Sequence, residues 1–545
     1  MHPGRRVLIA SGVFPPEVVG GAELVAHRQA LGLKQKGFDV SVLAGSTEGV
    51  DGPKPWVGQV DGLRVFRIAL PEPHAATRPF RLEAHRMARE VVALVRPQAV
   101  HLHHLTGLGA GLIPIAKAAG ARVVLTVHDT WGFCLRQTRV RPGGALCRDF
   151  TECDVCLPAV LDECGRSIPV RMRRDYIRWC LEHADDAVFP SNSLRDSYAE
   201  AGVALARCHT ISNGIDLQHF PCRLRDPSEQ VAFLSLASLA EHKGARVLWD
   251  ALELLLADDT LAGRWRMMLC GDGPLAAELK VRFDRGSLRA PVRWAGFISR
   301  EATARAILRA DVGVLTSICP ENQPVFLMEA AASGAAQVGT RIGGIPEIVE
   351  DGQTGLLVPP GDAVALAGAL RCLIQDPVLV RRFSEANLAR RPSLDEAPTI
   401  ERMSELLGER RTDVAERVHP VVLCWGAMHG IGAATAASVA LRRLDDRIRL
   451  LWHEWVGLSP LGGFDVVCVF GDELPAGALA RSVLADVPVV APRQLGLDGV
   501  AGCRGRIHGY DSQEEALALV EDLAFRALAQ RGGTAWGAQT SDRLC

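Results

Sequence analysis

Two glutamates are the residues whose spacing most clearly indicates chemistry in this 545-residue chain. In the segment CPENQPVFLMEAAASG, Glu321 falls in a loop after a predicted strand and Glu329 falls on the helix that begins near Phe326. A carboxylate accepts two hydrogen bonds, which suits the vicinal hydroxyls of a sugar. Two solvated glutamates are the alternative, but Glu329 stands in an apolar run where an unpaired charge would be costly.

Three further segments could hold a phosphate or a nucleoside. Gly20 and Gly21 precede a helix, and adjacent glycines let the backbone approach a phosphate at the positive helix end. Lys243, one of only six lysines, opens another helix in SLAEHKG, where a point cation suits a phosphate. Gly271 and Gly273, in CGDGP, would let a ribose or base pack on the backbone. A simple turn is the alternative for both glycine pairs.

The order of the predicted elements places these segments at sheet edges. Strand-like runs alternate with helical-period runs in two cycles, which predicts two doubly wound, mostly parallel sheets. His128, in LTVHDTW, ends one such strand at the edge where ligands bind in these sheets, with a structural histidine as the alternative. Neither a Walker pattern nor a GxGxxG after the first strand is present, which weighs against a P-loop protein and a dehydrogenase.

The same pattern predicts three domains. We expect a Rossmann-like domain over 1–213, a second over 214–408 that ends in return helices, a linker at 409–417 and a small α/β domain over 418–545. The sequence does not identify the role of the third domain.

Composition limits the class of protein. Apolar residues make up 48% and charged residues 23%, which is ordinary for a globular chain. The net charge of −2 argues against a nucleic-acid partner. No apolar run reaches the ~20 residues of a spanning helix, and no secretion signal stands at the start. We therefore expect a cytoplasmic protein.

The motifs together resemble the retaining glycosyltransferases of family 4, which have the GT-B fold of two facing Rossmann-like domains. The matching segments are FPPEVVGGAE, TVHD, SNGID, SLAEHKG, CGDGP, the two glutamates, and GGIPEIVEDGQTGLLVPPGD. They occur in family order and cover roughly 5–408. The resemblance implies transfer of a sugar from a nucleotide-diphosphate sugar to a hydroxyl of a glycan or lipid-linked acceptor, with no metal needed for catalysis.

The resemblance also implies roles for single residues. Catalysis is expected of His128, which contacts the donor sugar, of Lys243, which binds the diphosphate, and of Glu321, which addresses the sugar. The expected donor-binding residues are Gly20, Gly21, Ser238, Gly271, Gly273, Val325, Phe326 and Glu329. Among these, Glu329 is expected to bind the ribose hydroxyls, and the amides of Val325 and Phe326 lie near the sugar.

Two departures from the family pattern bear on this expectation. Ser238 stands where the family has an arginine, and a lost guanidinium removes a bidentate phosphate ligand. Asn322, Gln323 and Pro324 replace the usual Gly-Phe-Gly, which leaves the donor sugar open. A sugar-nucleotide epimerase of the same fold and a weakly active or non-catalytic sugar-nucleotide binding protein are therefore alternatives.

Five cysteines crowd into positions 134–164, directly after the HDTW segment. Four of them could close a tetrahedral structural zinc site, and free or disulfide-forming thiols are the alternative. The expected ligands are Cys134, Cys147, Cys153 and Cys156.

Two basic helical stretches, Arg78–Arg96 and Arg166–Arg178, raise the question of membrane contact. A basic amphipathic helix can lie on an anionic bilayer, which would place the protein peripherally at the inner membrane face. A solvated helix face is the alternative.

Overall fold

The computed structural model describes most of the first 409 residues and five strands beyond them. The described residues are 4–17, 20–47, 56–70, 80–142, 144–157, 159–161, 167–285, 288, 290–409, 421–426, 449–452, 466–470, 489–492, 507–510 and parts of 515–526. The predicted helix over 433–444 and Cys164 lie outside these residues.

The first domain is built on an eight-stranded sheet. The strands of the domain are β1 (Arg6–Ser11), β2 (Asp39–Ser46), β3 (Trp56–Val60), β4 (Leu63–Ala69), β5 (Ala99–Leu102), β6 (Arg122–Thr126), β7 (Ala159–Leu161), β8 (Ser167–Pro169), β9 (Asp186–Phe189) and β10 (Cys208–Thr210). The sheet order is β10-β9-β6-β5-β1-β2-β4-β3, and every pair is parallel except the β3–β4 hairpin. Strands β7 and β8 form a separate antiparallel pair.

Six helices belong to this domain: α1 (Gly21–Gln35), α2 (Leu82–Val95), α3 (Leu112–Ala118), α4 (Cys153–Cys156), α5 (Val170–Leu181) and α6 (Asn192–Glu200). Strands β1, β5, β6 and β9 are buried along nearly their whole length, because helices cover both faces of a parallel sheet.

The second domain repeats the arrangement with six parallel strands. They are β11 (Val231–Leu236), β12 (Trp265–Cys270), β13 (Val292–Gly296), β14 (Val312–Leu315), β15 (Ala336–Thr340) and β16 (Gly355–Val358), in the order β13-β12-β11-β14-β15-β16. The helices are α7 (Ala245–Leu256), α8 (Ala276–Arg285), α9 (Arg300–Arg309), α10 (Val325–Ala332), α11 (Ala363–Gln375), α12 (Pro377–Ala389) and α13 (Ala397–Gly408). The order reverses between β11 and β14, and such a reversal is where α/β sheets bind ligands.

Helix α13 returns to the first domain and packs there. Met403, Leu406 and Leu407 are fully buried in the core cluster that contains β1 and α1. A side chain at Gly32 of α1 would lie 2.5 Å from Ile400, so the two helices approach closely at this glycine. The chain therefore ties its second domain back onto its first.

Beyond residue 420 the described strands form a third parallel sheet. They are β17 (Val421–Gly426), β18 (Arg449–Trp452), β19 (Val466–Phe470), β20 (Val489–Pro492) and β21 (Ile507–Tyr510), in the order β18-β17-β19-β20-β21. Cys424, Leu450 and Val490 belong to the same buried cluster as the first domain's core. The third sheet is therefore packed against the first domain.

Helix α5 forms the contact surface for this third sheet. All twelve of its residues are buried, including its four arginines. The backbone N–H of Leu450 donates to Asp175 Oδ2 (3.1 Å), and the Arg449 guanidinium donates to Glu182 Oε1 (2.8 and 3.1 Å). Arg166 lies outside the described residues. For 167–178 the interpretation as a solvated or membrane-facing helix is wrong, because this helix is buried and pairs Arg171 and Arg174 with Asp175.

No single helix within the described residues has the length and apolar composition needed to cross a bilayer. Helices α11 and α12 meet that test only as a pair, and they are bent by 96° relative to one another.

The docking of the third sheet on α5 can be tested by removing one charge. Arg449→Ala removes the guanidinium that donates to Glu182 Oε1; burial already raises the pKa of Glu182, and Arg449 counteracts that rise. Removing one partner of a buried pair costs about 3–5 kcal/mol. We expect a marked fall in the urea midpoint of unfolding.

Arg526→Ala is the matched control, because Arg526 pairs with Asp522 on an exposed helical surface of the same region. Such a surface pair contributes at most about 1 kcal/mol. Equal destabilisation by the two substitutions would contradict the docking.

Candidate functional site

A cavity of about 750 Å³ lies between the first and second domains. Both domains supply its wall at the carboxyl ends of their parallel strands. The predicted site residues in the wall are Gly20, Gly21, His128, Ser238, Lys243, Gly271, Glu321, Val325 and Phe326. Two predicted donor-binding residues, Gly273 and Glu329, lie behind the wall.

An ion pair joins the two central loops of the second domain. Lys243 Nζ lies 2.6 Å from Glu321 Oε1, and Ser317 Oγ donates to the same carboxylate oxygen. Burial alone would lower the pKa of Lys243, but the carboxylate of Glu321 raises it above its usual value, so the ammonium stays charged. The cavity therefore presents a fixed cation beside an acceptor of hydroxyl protons.

Glycine at 244 is what allows Lys243 to take this position. Gly244 has φ +68°, and a Cβ there would lie 1.9 Å from the carbonyl oxygen of Thr316. The Thr316 hydroxyl in turn donates to the carbonyl of Lys243 (3.0 Å). The loop after β11 is thereby held against the end of β14.

The CGDGP glycines serve packing between two loops. A Cβ on Gly271 would lie 1.9 Å from the Ala237 carbonyl oxygen, and one on Gly273 would lie 2.7 Å from that of Leu239. Ser238 Oγ donates to the Asp272 carbonyl (3.3 Å) between them. Gly271 reaches the cavity, whereas Gly273 supports the Ser238 loop from behind.

Asn322 and Gln323 connect the two domains directly. Asn322 accepts from Ser191 Oγ (3.1 Å) and donates to the His128 carbonyl (2.8 Å). Gln323 accepts from the Asn213 backbone N–H (2.8 Å) and donates to Ser212 Oγ (2.8 Å). These residues stand where the family pattern has glycine and phenylalanine, and in this chain they bridge the cleft.

Glu347 adds a second connection across the cleft. Its carboxylate accepts from the backbone N–H groups of Asn192 (2.9 Å) and Ser193 (2.8 Å), at the start of α6. Those amides have no partner inside their own helix, and a carboxylate is favoured at a helix N-terminus. A side chain of the second domain thus caps a helix of the first.

Helix α10 presents free backbone donors to the cavity. Its first intrahelical bond runs from the Leu327 N–H to the Pro324 carbonyl (3.1 Å), so the amides of Val325 and Phe326 precede the bonded turn. Gly21 faces this turn from the first domain, and a Cβ there would lie 3.3 Å from the Val325 side chain.

Glu329 lies one turn further along α10 and is 4% exposed. Arg300 Nη1 lies 3.5 Å from its carboxylate. Burial raises the pKa of Glu329 to about 7, although Arg300 and Arg28 both act to lower it. Glu329 is therefore nearly buried and is not part of the cavity wall.

The first-domain side of the cavity is lined by a histidine cluster. His128 Nε2 lies 3.0 Å from His103 Nδ1, and His101 Nε2 lies 2.8 Å from Thr126 Oγ1. Burial, followed by the charge of His104, lowers the pKa of His128 to about 3. His128 is therefore a neutral imidazole that can exchange hydrogen bonds with a hydroxyl.

His104 also lines the cavity, and sequence reasoning missed it. Its Nε2 lies 3.0 Å from Asp129 Oδ2, while Asp129 Oδ1 accepts from the Trp131 backbone N–H (2.6 Å). Burial opposes charging, but the bond to Asp129 and its charge raise the pKa of His104 above the usual value. The sequence does contain an indication of His104, since the segment HLHH stands at the end of β5 and β5 pairs with β6, which leads into LTVHD.

At the start of α1, the side chain of Glu23 accepts a hydrogen bond from one of the backbone N–H groups. Gly20 N–H donates to Glu23 Oε2 (2.9 Å), and Glu23 also lines the cavity. The N-terminus of α1 therefore offers a ligand fewer unpaired amides than the glycine pair alone suggested.

The four predicted zinc ligands all lie between β6 and β7. Cys134, Cys147, Cys153 and Cys156 are free thiols, and among the described residues there is no group of three or more His, Cys, Asp or Glu that could hold a metal ion. Cys147 and Cys153 instead donate to backbone carbonyls of their own loop. A structural zinc stays a prediction.

Comparison with known proteins assigns both domains around the cavity to described sequence families. Residues 19–219 match the sequence profile of the family described as "Glycosyltransferase Family 4", and residues 230–376 match "Glycosyl transferases group 1". Together the two matches cover both domains that line the cavity. Residues beyond 376 lie outside both.

Three proteins illustrate the similarity. The glycogen synthase of Mycobacterium tuberculosis is 27% identical over 404 residues, covering 70% of this chain and 89% of the relative. The amylovoran biosynthesis glycosyltransferase AmsK of Erwinia amylovora is 29% identical over 311 residues, covering 54% of this chain and 73% of AmsK. Among solved structures, Anabaena HepE in complex with UDP and glucose superposes with a TM-score of 0.53 at 17% identity, covering 74% of this chain and 99% of HepE.

The two hydrogen bonds of Asn322 predict that the cleft opens when they are lost. Each contributes about 0.5–1.5 kcal/mol, so Asn322→Ala should shift the equilibrium towards the open form about tenfold. Small-angle X-ray scattering should show a larger radius of gyration than for the wild type. Gln353→Ala, which removes an exposed amide outside the cleft, is the control. An unchanged radius for both variants would contradict the role of Asn322.

The pKa of Glu329 predicts a pH-dependent stability. Its folded value of about 7 lies above the ordinary 4.5, so the folded state binds the extra proton and loses stability as the pH rises from about 4.5 to 7. The glutamine of Glu329→Gln cannot ionise. The variant should therefore have a higher melting temperature than the wild type at pH 8 and the same melting temperature at pH 5. Glu385→Gln, on an exposed helix surface, should show no such difference. If Glu329→Gln melted at the same temperature as the wild type at pH 8, the raised pKa of Glu329 would be refuted.

Proposed function

Because this chain is a family 4 glycosyltransferase with the GT-B fold, we propose that it transfers a sugar from a nucleotide-diphosphate sugar, with retention of the anomeric configuration. The acceptor is a hydroxyl of a glycan or lipid-linked precursor. The observation that carries this proposal is the Lys243–Glu321 pair, which faces the cavity between the domains beside the unbonded amides of α10.

The second domain is the donor side. The diphosphate lies against Lys243 and the amides of Val325 and Phe326, and Glu329 accepts from the ribose hydroxyls once the wall opens. The complexes of HepE with UDP and glucose support a donor of this class. Glu321, fixed by Lys243 and Ser317, accepts from hydroxyls of the transferred sugar.

The chemical step follows from the charges in the cavity. The bond between the anomeric carbon and the diphosphate oxygen breaks with oxocarbenium character, and the diphosphate keeps the electron pair. Lys243 stabilises the charge that grows on that oxygen. The acceptor hydroxyl attacks from the same face and passes its proton to the departing phosphate. Closure of the cleft excludes water, which would otherwise compete with the acceptor.

The first domain is the acceptor side. Neutral His128 exchanges hydrogen bonds with the transferred sugar, and the His104–Asp129 pair holds a polar surface beside it. The names of two relatives, a glycogen synthase and an amylovoran biosynthesis glycosyltransferase, support a glycan acceptor. A cytoplasmic location and contact with a membrane stay predictions.

Because position 238 has no arginine, the charge of the leaving diphosphate depends more strongly on Lys243. The described residues of the cavity wall include Lys243 but no arginine. Stabilisation of the leaving group then falls to this lysine and the α10 amides. Loss of one such donor commonly costs about 10²–10³ in rate.

The proposal is tested by a donor screen followed by a transfer assay. We expect one nucleotide sugar to raise the melting temperature, because a ligand stabilises the state that binds it. Lys243→Ala should lower kcat about 10²–10³-fold. Lys280→Ala is the matched control, since Lys280 lies on exposed helix α8 and pairs with Asp284.

The remaining outcomes separate the alternatives. Donor binding without turnover would identify a binding protein, which the serine at 238 would explain. Conversion of the donor without any acceptor would identify an epimerase. Either result would overturn the transferase proposal, as would full activity in Lys243→Ala.

A further inference from the structure

A second concave site lies on the second domain, and it has no lining residue in common with the interdomain cavity. It is a groove of about 500 Å³ between helix α9 and strands β11, β12 and β13. We call it the arginine groove, because its rim carries Arg266, Arg293, Arg305 and Arg309. No described residue of its lining is acidic.

The four arginines converge because of the local geometry of their elements. Arg305 and Arg309 are one turn apart on α9 and therefore share a helix face. Arg293 is paired in register with Met268, and Arg266 is two residues before Met268 on the same strand face. Two guanidinium groups from the helix thus face two from the sheet.

These four side chains are exposed. None of the four guanidinium groups donates a hydrogen bond or forms an ion pair within the described part of the chain. Glu301, one turn before Arg305, accepts from Ser299 Oγ (2.9 Å), and its interaction with Arg305 is through charge alone. Other arginines of the domain do form ion pairs, as Arg223 does with Asp311 and Arg282 with Asp250. Four clustered like charges repel one another, so an anion in the groove would relieve that repulsion.

The floor of the groove is apolar. Leu234 and Met268 face it from the sheet, and Ala302 and Ala306 face it from α9. The small alanines leave room beside the sheet, where a ligand can bury an apolar body. A guanidinium offers a forked pair of donors that matches a phosphate.

We propose that the arginine groove binds a small organic phosphate, with the phosphoryl group between the arginines and an apolar body on the Leu234–Met268 floor. Its volume falls in the range of small-molecule sites, about 300–1,000 Å³. It is concave, so it encloses a discrete molecule better than it meets a flat bilayer.

The groove shares a wall with the catalytic cavity. Helix α9 lines the groove with Ala302 and Arg305, and it lines the cavity between the domains with Thr303. At its start, Arg300 contacts Glu329. A ligand in the groove therefore contacts the same helix that closes the donor side, although its binding does not depend on the proposed transfer reaction.

The experiment is calorimetric titration of the full chain with phenyl phosphate, inorganic phosphate and phenol. We expect phenyl phosphate to bind more tightly than inorganic phosphate because of the floor, and phenol not to bind. The double variant Arg305→Gln, Arg309→Gln should bind phenyl phosphate at least tenfold more weakly than the wild type. Arg293→Gln should lower the affinity independently. Circular dichroism melting should show all variants folded, since the replaced side chains are exposed.

Controls separate this site from the donor cavity and from general charge. Arg136→Gln, Arg148→Gln removes two exposed arginines from the first domain and should leave binding unchanged. Lys243→Ala should also leave it unchanged, whereas loss of binding in that variant alone would place the ligand in the donor cavity and overturn the proposal. Equal affinity of the groove variants and the wild type would overturn it as well. Groove-dependent binding to phosphatidic acid vesicles without binding of phenyl phosphate would identify a bilayer as the partner and contradict a discrete ligand.

Discussion

The ion pair between Lys243 and Glu321 is the interaction on which the rest of the site depends. It joins the loop after β11 to the loop after β14, the two strands between which the sheet order reverses. Both loops are fixed from behind, by the Thr316 hydroxyl and by Gly244, whose backbone conformation excludes a side chain. An ammonium held in this way needs little reorganisation when a phosphate arrives, which is the condition for effective electrostatic stabilisation.

Closure of the cleft depends on a second set of contacts, and these follow directly from Glu321 along the chain. Asn322 and Gln323 bond to the first domain at three of its loops, and Glu347 caps α6. Amide side chains at 322 and 323 therefore connect the domains where glycine and phenylalanine could not form these bonds. The same segment thus carries Glu321 and bridges the cleft, so changes there should affect binding and closure together.

The sequence was sufficient for the family, the two facing parallel sheets and the position of the cavity residues, and the fold class it predicted is confirmed. Strong alternation of buried strands and helices, with glycines at the close approaches, encodes these features locally. The histidine pair at 103 and 104 was missed, because its meaning arises only when β5 lies beside β6. The withdrawal of Glu329 behind the wall could not be predicted either, since it depends on how α9 and its Arg300 pack against α10. The basic helix α5 was misjudged for a similar reason: the sheet that packs against it, and whose Arg449 donates to Glu182, lies nearly 270 residues later in the chain.

The most direct test of the central claim is the contribution of the β-phosphate to nucleotide affinity. Calorimetry would compare the nucleoside diphosphate of the preferred donor with its monophosphate, in the wild type and in Lys243→Ala. If Lys243 is the diphosphate ligand, the wild type should bind the diphosphate at least tenfold more tightly, about 1.4 kcal/mol, and the variant should lose this preference. Equal preference for the diphosphate in both proteins would show that groups other than Lys243 bind the β-phosphate, and it would contradict the account.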